Sequence, residues 1–272
     1  MASFYGVHTA RTLESGEARA NRHLVEGQRR HNPHYEGAYL PVGQGGALYV
    51  QSGSPMNYAV GLGVFDESED TLKSSLDALD AFYRPHHTTW NIEVASLASE
   101  SFLALLGHYG YRAQAFGQMW IHPLDLAESP RIGVTVRELA PEEASLWASV
   151  TARGFADGAD DDAGDEALFF GFTTLPGIHL YLAESSQGTP MGGAAMAVAD
   201  GYAALFSGAT LPEWRGRGVQ TALLQKRLWD AKRWGAPFAN VQTDSDTASA
   251  HNVAKVGFRL IYTKTTFQSP PL

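Results

Sequence analysis

A strand, a glycine-rich turn and a helix follow one another between residues 202 and 234, and this succession constrains the fold more than any other feature. The strand is an apolar run of small residues, Tyr202 to Thr210. The turn reads Trp-Arg-Gly-Arg-Gly over residues 214–218, and an amphipathic pattern then predicts a helix from about Gly218 to Trp234. Because Asp200-Gly201 signals a hairpin just before the strand, we predict an α/β fold with a mixed sheet.

The turn at residues 214–218 also has the features of an anion site. A helix start exposes backbone N–H groups at the positive end of the helix dipole, where a phosphate or pyrophosphate is favoured. Gly216 and Gly218 let the backbone approach an anion because they have no Cβ. The alternative is an ordinary strand-to-helix turn with basic residues at its surface. A nucleotide P-loop is excluded, since the turn lacks the Gly-Lys-Ser/Thr ending.

Two segments of the second half, joined by a helix and a strand, carry motifs in a defined order. In the first, Arg215 is followed by Gly218 and then Gln220, after the lead-in Ala-Thr-Leu-Pro-Glu-Trp of residues 209–214. The second, residues 249–258, reads Ser-Ala-His-Asn-Val-Ala-Lys-Val-Gly-Phe. Together they resemble the GCN5-related N-acetyltransferase (GNAT) family, whose acyl-coenzyme A signature has Gly or Ala where this chain has Gln220.

The resemblance implies a central mixed sheet flanked by helices, with acetyl-coenzyme A as co-substrate. It implies that the pantetheine arm pairs with the backbone of the strand end and contacts Asn252, and that the turn holds the pyrophosphate. Asn252 has an alternative interpretation as a helix-surface amide. Gly208, a glycine inside a strand, also indicates a β-bulge. The acyl-coenzyme A site implied in this way consists of Gly208, Ala209, Thr210, Arg215, Gly216, Arg217, Gly218, Val219, Gln220, Thr221 and Asn252.

The residues that move protons are less defined. Many relatives place Glu at the position of Ala204 and Tyr at the position of Val253, so the usual acid and base are both missing. The substitute candidates are polar side chains in or after the second segment: Asp244, Ser249, His251 and Tyr262. Asp244 has an alternative interpretation as a turn or N-cap residue. Reliance on positioning and a water chain is a further alternative.

The first half carries a fainter copy of the same layout. Gly45-Gly46-Ala47 lies 147 residues before Gly192-Gly193-Ala194, and Gly110-Tyr111-Arg112 lies at the same distance before Gly257-Phe258-Arg259. We therefore predict two tandem GNAT-like domains.

The copies differ at the turn. Residues 65–71 read Phe-Asp-Glu-Ser-Glu-Asp-Thr, and four acids at a helix start would repel a pyrophosphate. Residues 66–69 of this segment indicate ordinary helix capping instead. We predict a degenerate first domain, residues 1–128, and an acyl-coenzyme A-binding domain, residues 129–272.

Composition limits the partners. A net charge of −9 argues against nucleic acid. There is neither a run of 18 apolar residues nor a signal-peptide pattern, so we predict no membrane span and a cytoplasmic protein. No Cys is present, which excludes thiolate sites, and the ten His residues show no metal-ligand spacing, so no metal is predicted.

The expected activity is direct transfer of an acyl group, acetyl being the expected one, from coenzyme A to the amine of a small molecule. Residues 157–166 hold five Asp and one Glu, which would favour a cationic acceptor, or else form a solvated loop. The alternative function is a non-catalytic coenzyme A sensor or interaction module. The acceptor, the acyl chain length and the oligomeric state stay open.

Overall fold

The computed structural model describes residues 6–126, 133–156 and 162–271, with the side chains of residues 162–165 left out. The chain divides into two compact units, unit 1 with Met1–Met119 and Ile261–Leu272, and unit 2 with Trp120–Leu260. Within the described ranges, no helix combines the length and apolar character that crossing a bilayer requires. The same ranges contain no group of three or more His, Asp or Glu residues arranged to hold a metal ion.

Strands and helices alternate in the later part of each half, over residues 58–122 and 202–268. The strands are β1 Ala38–Val42, β2 Gly45–Tyr49, β3 Tyr58–Val60, β4 Asn91–Ala95, β5 Arg112–His122, β6 Thr135–Glu138, β7 Ile178–Glu184, β8 Pro190–Ala199, β9 Tyr202–Thr210, β10 Ala239–Asp244 and β11 Arg259–Gln268. The helices are α1 Val7–His31, α2 Glu69–Tyr83, α3 Glu100–His108, α4 Ala144–Phe155, α5 Asp162–Phe172, α6 Val219–Arg233 and α7 Ala248–Val256.

Unit 1 contains a mixed sheet in the order β1-β2-β3-β4-β11-β5. The pairs β1/β2, β2/β3 and β4/β11 are antiparallel, whereas β3 and β4 are parallel. Buried apolar side chains of α2 and α3, such as Leu76, Leu79 and Phe102, form its core together with Ile92 and Val94 of β4. The strand β11, which comes last in the sequence, thus lies between two strands of the first half.

Unit 2 contains strands in the order β10-β9-β8-β7-β6, with β9 and β10 parallel and the other pairs antiparallel. The hairpin between β8 and β9 turns at Asp200-Gly201, both in the left-handed region. Helix α6 buries Leu223 and Leu228 against this sheet, and α4 contributes the fully buried Trp147 to a neighbouring cluster. The predicted mixed sheet flanked by helices is therefore confirmed.

The units differ from the predicted domains at two places. The boundaries fall after Met119, inside β5, and after Leu260, inside β11, so residues 120–128 lie in unit 2 and residues 261–272 in unit 1. The predicted domains 1–128 and 129–272 assign both segments to the other half. Sequence patterns predict a strand locally, but they do not reveal which distant strands it pairs with.

The two halves repeat the same succession of elements. Each has a parallel strand pair joined by a helix, β3-α2-β4 and β9-α6-β10, followed by a short helix and a long strand. Strand β5 begins at Arg112 and β11 at Arg259, again 147 residues apart. The correspondence is consistent with a tandem arrangement.

Candidate functional site

Strands β9 and β10 pair only along their first halves. Their parallel register runs from Ala203–Ala239 to Leu205–Val241. Strand β9 nevertheless continues to Thr210 and β10 to Asp244. Beyond Leu205, β9 therefore has a backbone edge that β10 does not cover, and an extended ligand with amide groups can add to such an edge as a strand does.

A β-bulge lies at the start of this uncovered edge. The register between β8 and β9 shifts between Gly193 and Ala195, where β9 contributes one residue more than β8. The extra residue falls at Ser207-Gly208, which confirms the bulge predicted at Gly208. Ser207, rather than the glycine, adopts the left-handed conformation, with φ of 48°.

At Gly208, side chains of α6 approach the bulge closely. A Cβ at Gly208 would lie 2.9 Å from Nε2 of Gln220 and 3.4 Å from Nη2 of Arg227. Gln220 replaces the small residue of the family signature, so the glycine on the strand provides the room that its side chain takes on the helix.

Helix α6 begins without a capping side chain. Its N-cap is Gly218 at φ of 78°, and no side-chain cap hydrogen bond is present. The first helical bond joins the N–H of Ala222 to the carbonyl of Gly218 at 3.0 Å. A Cβ at Gly216 or Gly218 would meet no atom within 4 Å. The N–H groups of the first turn, Val219 to Thr221, precede the first helical hydrogen bond and so have no acceptor within the helix, and the space beside Gly216 and Gly218 suits an anion.

The two arginines of the turn have different surroundings. Arg215 donates from Nη2 to the carbonyl of Gly154 at 3.1 Å and from Nε to that of Thr210 at 3.3 Å, so it ties the turn to α4 and to the end of β9. Arg217 is exposed, and its guanidinium carbon lies 4.9 Å from the ring centroid of Trp214. Both place positive charge near the start of α6.

Most predicted proton-transfer residues lie where β10 leads into α7. Asp244 is exposed, and its carbonyl accepts a hydrogen bond from the Thr247 hydroxyl at 3.0 Å. Ser249 and Asn252 are half-buried on α7, whereas His251 is exposed. Because β9 and β10 are parallel, their carboxyl ends, and with them Thr210 and Asp244, lie at the same edge of the sheet, where open α/β sheets bind ligands.

Tyr262 is not among the side chains that unit 2 brings together. It belongs to unit 1, where it is 5% exposed and its hydroxyl donates to Oε1 of Glu14 at 2.7 Å. Burial is the main cause that raises the pKa of this hydroxyl well above its ordinary value. Its candidacy as a catalytic residue rested on sequence distance from the second motif, which does not reveal the unit that a strand joins.

Sequence reasoning missed Arg227. This residue is 1% exposed, and its pKa is lowered to about 10, chiefly by burial. The spacing in the sequence indicates this burial, since Arg227 follows Leu223 by four residues and therefore lies on the apolar face of α6.

Comparisons with known proteins place these features in context. Residues 145–258 match the model of the acetyltransferase (GNAT) family. A GCN5-related N-acetyltransferase from Kribbella flavida is 15% identical, with a TM-score of 0.62 over 93% of this chain and 95% of that chain. No match was found among curated proteins.

Two further solved structures share the fold. A tandem GNAT protein from the clavulanic acid biosynthesis pathway, determined without acetyl-coenzyme A, is 14% identical with a TM-score of 0.61, and the match covers 83% of this chain and 78% of that chain. A GCN5-related N-acetyltransferase from Sphaerobacter thermophilus is 18% identical with a TM-score of 0.54, over 79% and 73% of the two chains. At such identities the likeness shows the fold alone.

Proposed function

We propose, from the match of residues 145–258 to the acetyltransferase (GNAT) family model, that the chain is an acyl-coenzyme A-dependent N-acyltransferase. Acetyl-coenzyme A is the proposed donor, and the amine of a small molecule is the proposed acceptor. The observation that carries the proposal is the uncapped start of α6 beside the uncovered edge of β9.

The residues present fit a coenzyme A thioester. The first turn of α6 offers backbone donors for a pyrophosphate, and Gly216 and Gly218 leave space for its oxygens. The backbone of residues 208–210 offers strand-like hydrogen bonds for the amides of the pantetheine arm. Asn252 of α7 is proposed to reach the same arm. When bound, acetyl-coenzyme A supplies an activated acyl group.

The chain's own part in the transfer is positioning, polarisation and proton handling. Backbone N–H groups at the bulge are proposed to polarise the acyl carbonyl, a service that contributes strongly in sites from which water is excluded. Holding both reactants in line lowers the barrier further. Asp244 and Ser249 are the proposed proton-transfer groups, Asp244 acting through water because its side chain is exposed.

A cationic amine is the proposed acceptor class. The support is the acidic composition of residues 157–166, which would attract a positive charge. Residues 157–161 of this segment lie outside the described residues, so the proposal rests on their composition. Helix α5 begins at Asp162 directly afterwards.

A non-catalytic coenzyme A sensor is the second candidate. The observation that favours it is Val253, which stands where many relatives have Tyr and is fully buried in the core of unit 2. Together with Ala204 it removes the two usual proton-transfer groups. A sensor would bind the donor and release no thiol.

The test combines binding and turnover. Calorimetric titration with acetyl-coenzyme A is expected to show one site per chain, and a thiol-release assay over a panel of amines is expected to show amine-dependent release. Binding without release over a broad panel that includes polyamines and aminoglycosides would favour the sensor. No binding would contradict both candidates.

A matched pair of variants locates the site. Gly218→Asn and Gly218→Asp introduce side chains of nearly the same shape, and both residue types tolerate the left-handed conformation of position 218. Only the Asp variant adds a negative charge where the pyrophosphate is proposed to bind. We expect acetyl-coenzyme A affinity to fall by about tenfold or more in Gly218→Asp relative to Gly218→Asn. Equal affinities of the two folded variants would contradict the site.

A further inference from the structure

Arg227 is a buried cation in the sheet-facing side of α6. Its Nη1 donates to the carbonyl of Ala195 at 2.8 Å and to that of Phe206 at 3.3 Å, and its Nε donates to the carbonyl of Leu223 at 3.1 Å. Among the described residues it makes no salt bridge with a carboxylate. A buried charge without a counter-ion is unfavourable unless its hydrogen bonds are specific, so these contacts account for its presence.

Two of the carbonyls that Arg227 binds flank one end of the bulge of β9. Ala195 of β8 and Phe206 of β9 are register partners, and they form the last regular pair before the register shifts. Nη1 therefore bridges the two strands immediately next to Ser207. The neighbouring Nη2 lies 3.4 Å from the position of a Cβ at Gly208, the other residue of the bulge.

Ser207 gives a reason why the bulge needs support. Its φ of 48° lies in the left-handed region, which costs energy for a residue with a Cβ that is neither Asn nor Asp. Such a conformation persists only where the surrounding structure enforces it. Arg227 supplies contacts on the α6 side of the bulge, and the close approach of Gln220 to Gly208 supplies another.

We propose that Arg227 is a positioning residue, which holds the β9 bulge so that the backbone of residues 207–209 faces the pantetheine and acyl end of the donor. The inference rests on the proposed function, because it assigns Arg227 to that same site. It divides the site into two parts. The start of α6 holds the pyrophosphate, and the bulge, fixed by Arg227, holds the pantetheine arm.

Two ligands separate these parts. Acetyl-coenzyme A engages both, whereas 3′-phospho-ADP has the pyrophosphate but no pantetheine arm. In Arg227→Met we expect acetyl-coenzyme A affinity to fall by about tenfold, the scale of one strained backbone residue, with 3′-phospho-ADP binding within about twofold of the native value. Gly218→Asp is expected to weaken both ligands.

Rescue distinguishes positioning from a general loss of stability. Ser207→Gly relieves the strain at φ of 48°, so in the Arg227→Met background it should restore most of the acetyl-coenzyme A affinity. Arg227→Lys keeps the charge but loses the planar fork of the guanidinium group. We therefore expect its acetyl-coenzyme A affinity to lie between that of the native protein and that of Arg227→Met. Lys226→Met is the control, since Lys226 precedes Arg227 on α6 but binds Asp230, and we expect both ligands to bind it as they bind the native protein.

A variant outside the core keeps the proposal testable if Arg227→Met does not fold. Ser207 is half-buried, and Ser207→Val places a β-branched residue at a positive φ without emptying the core. We expect this variant to weaken the binding of acetyl-coenzyme A but not that of 3′-phospho-ADP. The positioning role would be overturned if the Arg227 and Ser207 variants lost affinity equally for acetyl-coenzyme A and 3′-phospho-ADP, or lost affinity for neither. Failure of the native protein to bind either ligand would instead overturn the proposed function.

Discussion

At the scale of single residues, Lys264 and its carboxylates are the most unusual feature of unit 1. Lys264 is 1% exposed, and its Nζ lies 3.2 Å from Glu14, 2.7 Å from Glu17 and 3.3 Å from Glu93. Glu14 is equally buried and also accepts the hydroxyl hydrogen bond of Tyr262. One buried cation thus links α1, β4 and β11 through three carboxylates.

Burial outweighs the attraction of Lys264 at Glu14 and raises the pKa of this carboxyl to about 7. A carboxyl whose folded-state pKa is raised contributes stability that is complete below its unfolded pKa and is lost as pH rises through the folded value. We therefore expect the free energy of unfolding to fall by up to about 3 kcal/mol between pH 5 and pH 8. Glu14→Gln should remove most of this dependence, measured by urea denaturation across that range.

The control is Glu26→Gln on the same helix. Glu26 is half-buried at the surface of the helix and paired with Arg22, whose hydrogen bond is the main cause that lowers the Glu26 pKa. Removing the Glu26 carboxylate should leave the pH dependence of the free energy of unfolding between pH 5 and pH 8 unchanged. A slope in Glu14→Gln as steep as that of the native protein would contradict the assignment to Glu14. Lys264 keeps Glu17 and Glu93 as partners in this variant, so its charge stays compensated.

These residues show what sequence reasoning reaches at this scale. Arg215, Gly216 and Gly218 could be predicted as site residues because a local motif places them within a few positions of each other. The hydrogen bond from Tyr262 to Glu14 joins two residues that are 248 positions apart, so no local sequence pattern predicts it. Ser207 was missed for a different reason, because the neighbouring Gly208 is the residue type that a left-handed position favours.

At the scale of elements, helix starts divide into two kinds. Ser68, Ser99 and Thr247 cap α2, α3 and α7 by accepting a backbone N–H with their side chains. Helix α6 begins at Gly218 without such a bond, as α1 does at Gly6 and α4 does at Glu143. One N-terminal N–H group of α2, that of Thr71, is therefore satisfied by a capping side chain, whereas at α6 no side chain competes with an anion for these groups.

Removing a cap at α2 should affect stability and leave donor binding intact. Ser68→Ala loses the hydrogen bond from the Thr71 N–H, so we expect the free energy of unfolding to fall by about 1 kcal/mol. Acetyl-coenzyme A affinity, measured by calorimetry, should equal that of the native protein. A clear loss of affinity would contradict the prediction that the first copy does not bind coenzyme A at this helix.

The elements themselves were largely predictable. The apolar run after a turn signal gave β9 with the bounds that the structure shows, and the helix predicted from about Gly218 to Trp234 corresponds to α6 with its two capping residues. Helix capping was also predicted at residues 66–69, and Ser68 provides it. Asp66 instead forms an ion pair with Arg11 at 2.8 Å, a contact with a distant helix that no local pattern indicates.

At the scale of the whole molecule, β11 is the element that sequence order misplaces. It lies between β4 and β5 in unit 1, and Thr265 is the register partner of Val94. Proline in such a central strand removes a ladder hydrogen bond, whereas the natural Pro41 is tolerated in the edge strand β1.

Thr265→Pro should therefore destabilise unit 1 by about 3 kcal/mol or more. Thr265→Ala keeps the backbone donor and serves as the control, with an expected loss of about 1 kcal/mol. Hydrogen exchange is the measurement, since amides of β4 should lose protection in the Pro variant and keep it in the Ala variant. Unchanged protection of β4 in Thr265→Pro would contradict the central position of β11.

The position of β11 also sets an order of events during protein synthesis. The chain is made from the N-terminus at about 5–20 residues per second, so β5 leaves the ribosome roughly 7 to 30 s before β11 does. Throughout that interval β4 and β5 exist without the strand that separates them. The first unit to be translated is consequently the last to be completed, and the strand edges of β4 and β5 that β11 later covers stay unpaired during this delay.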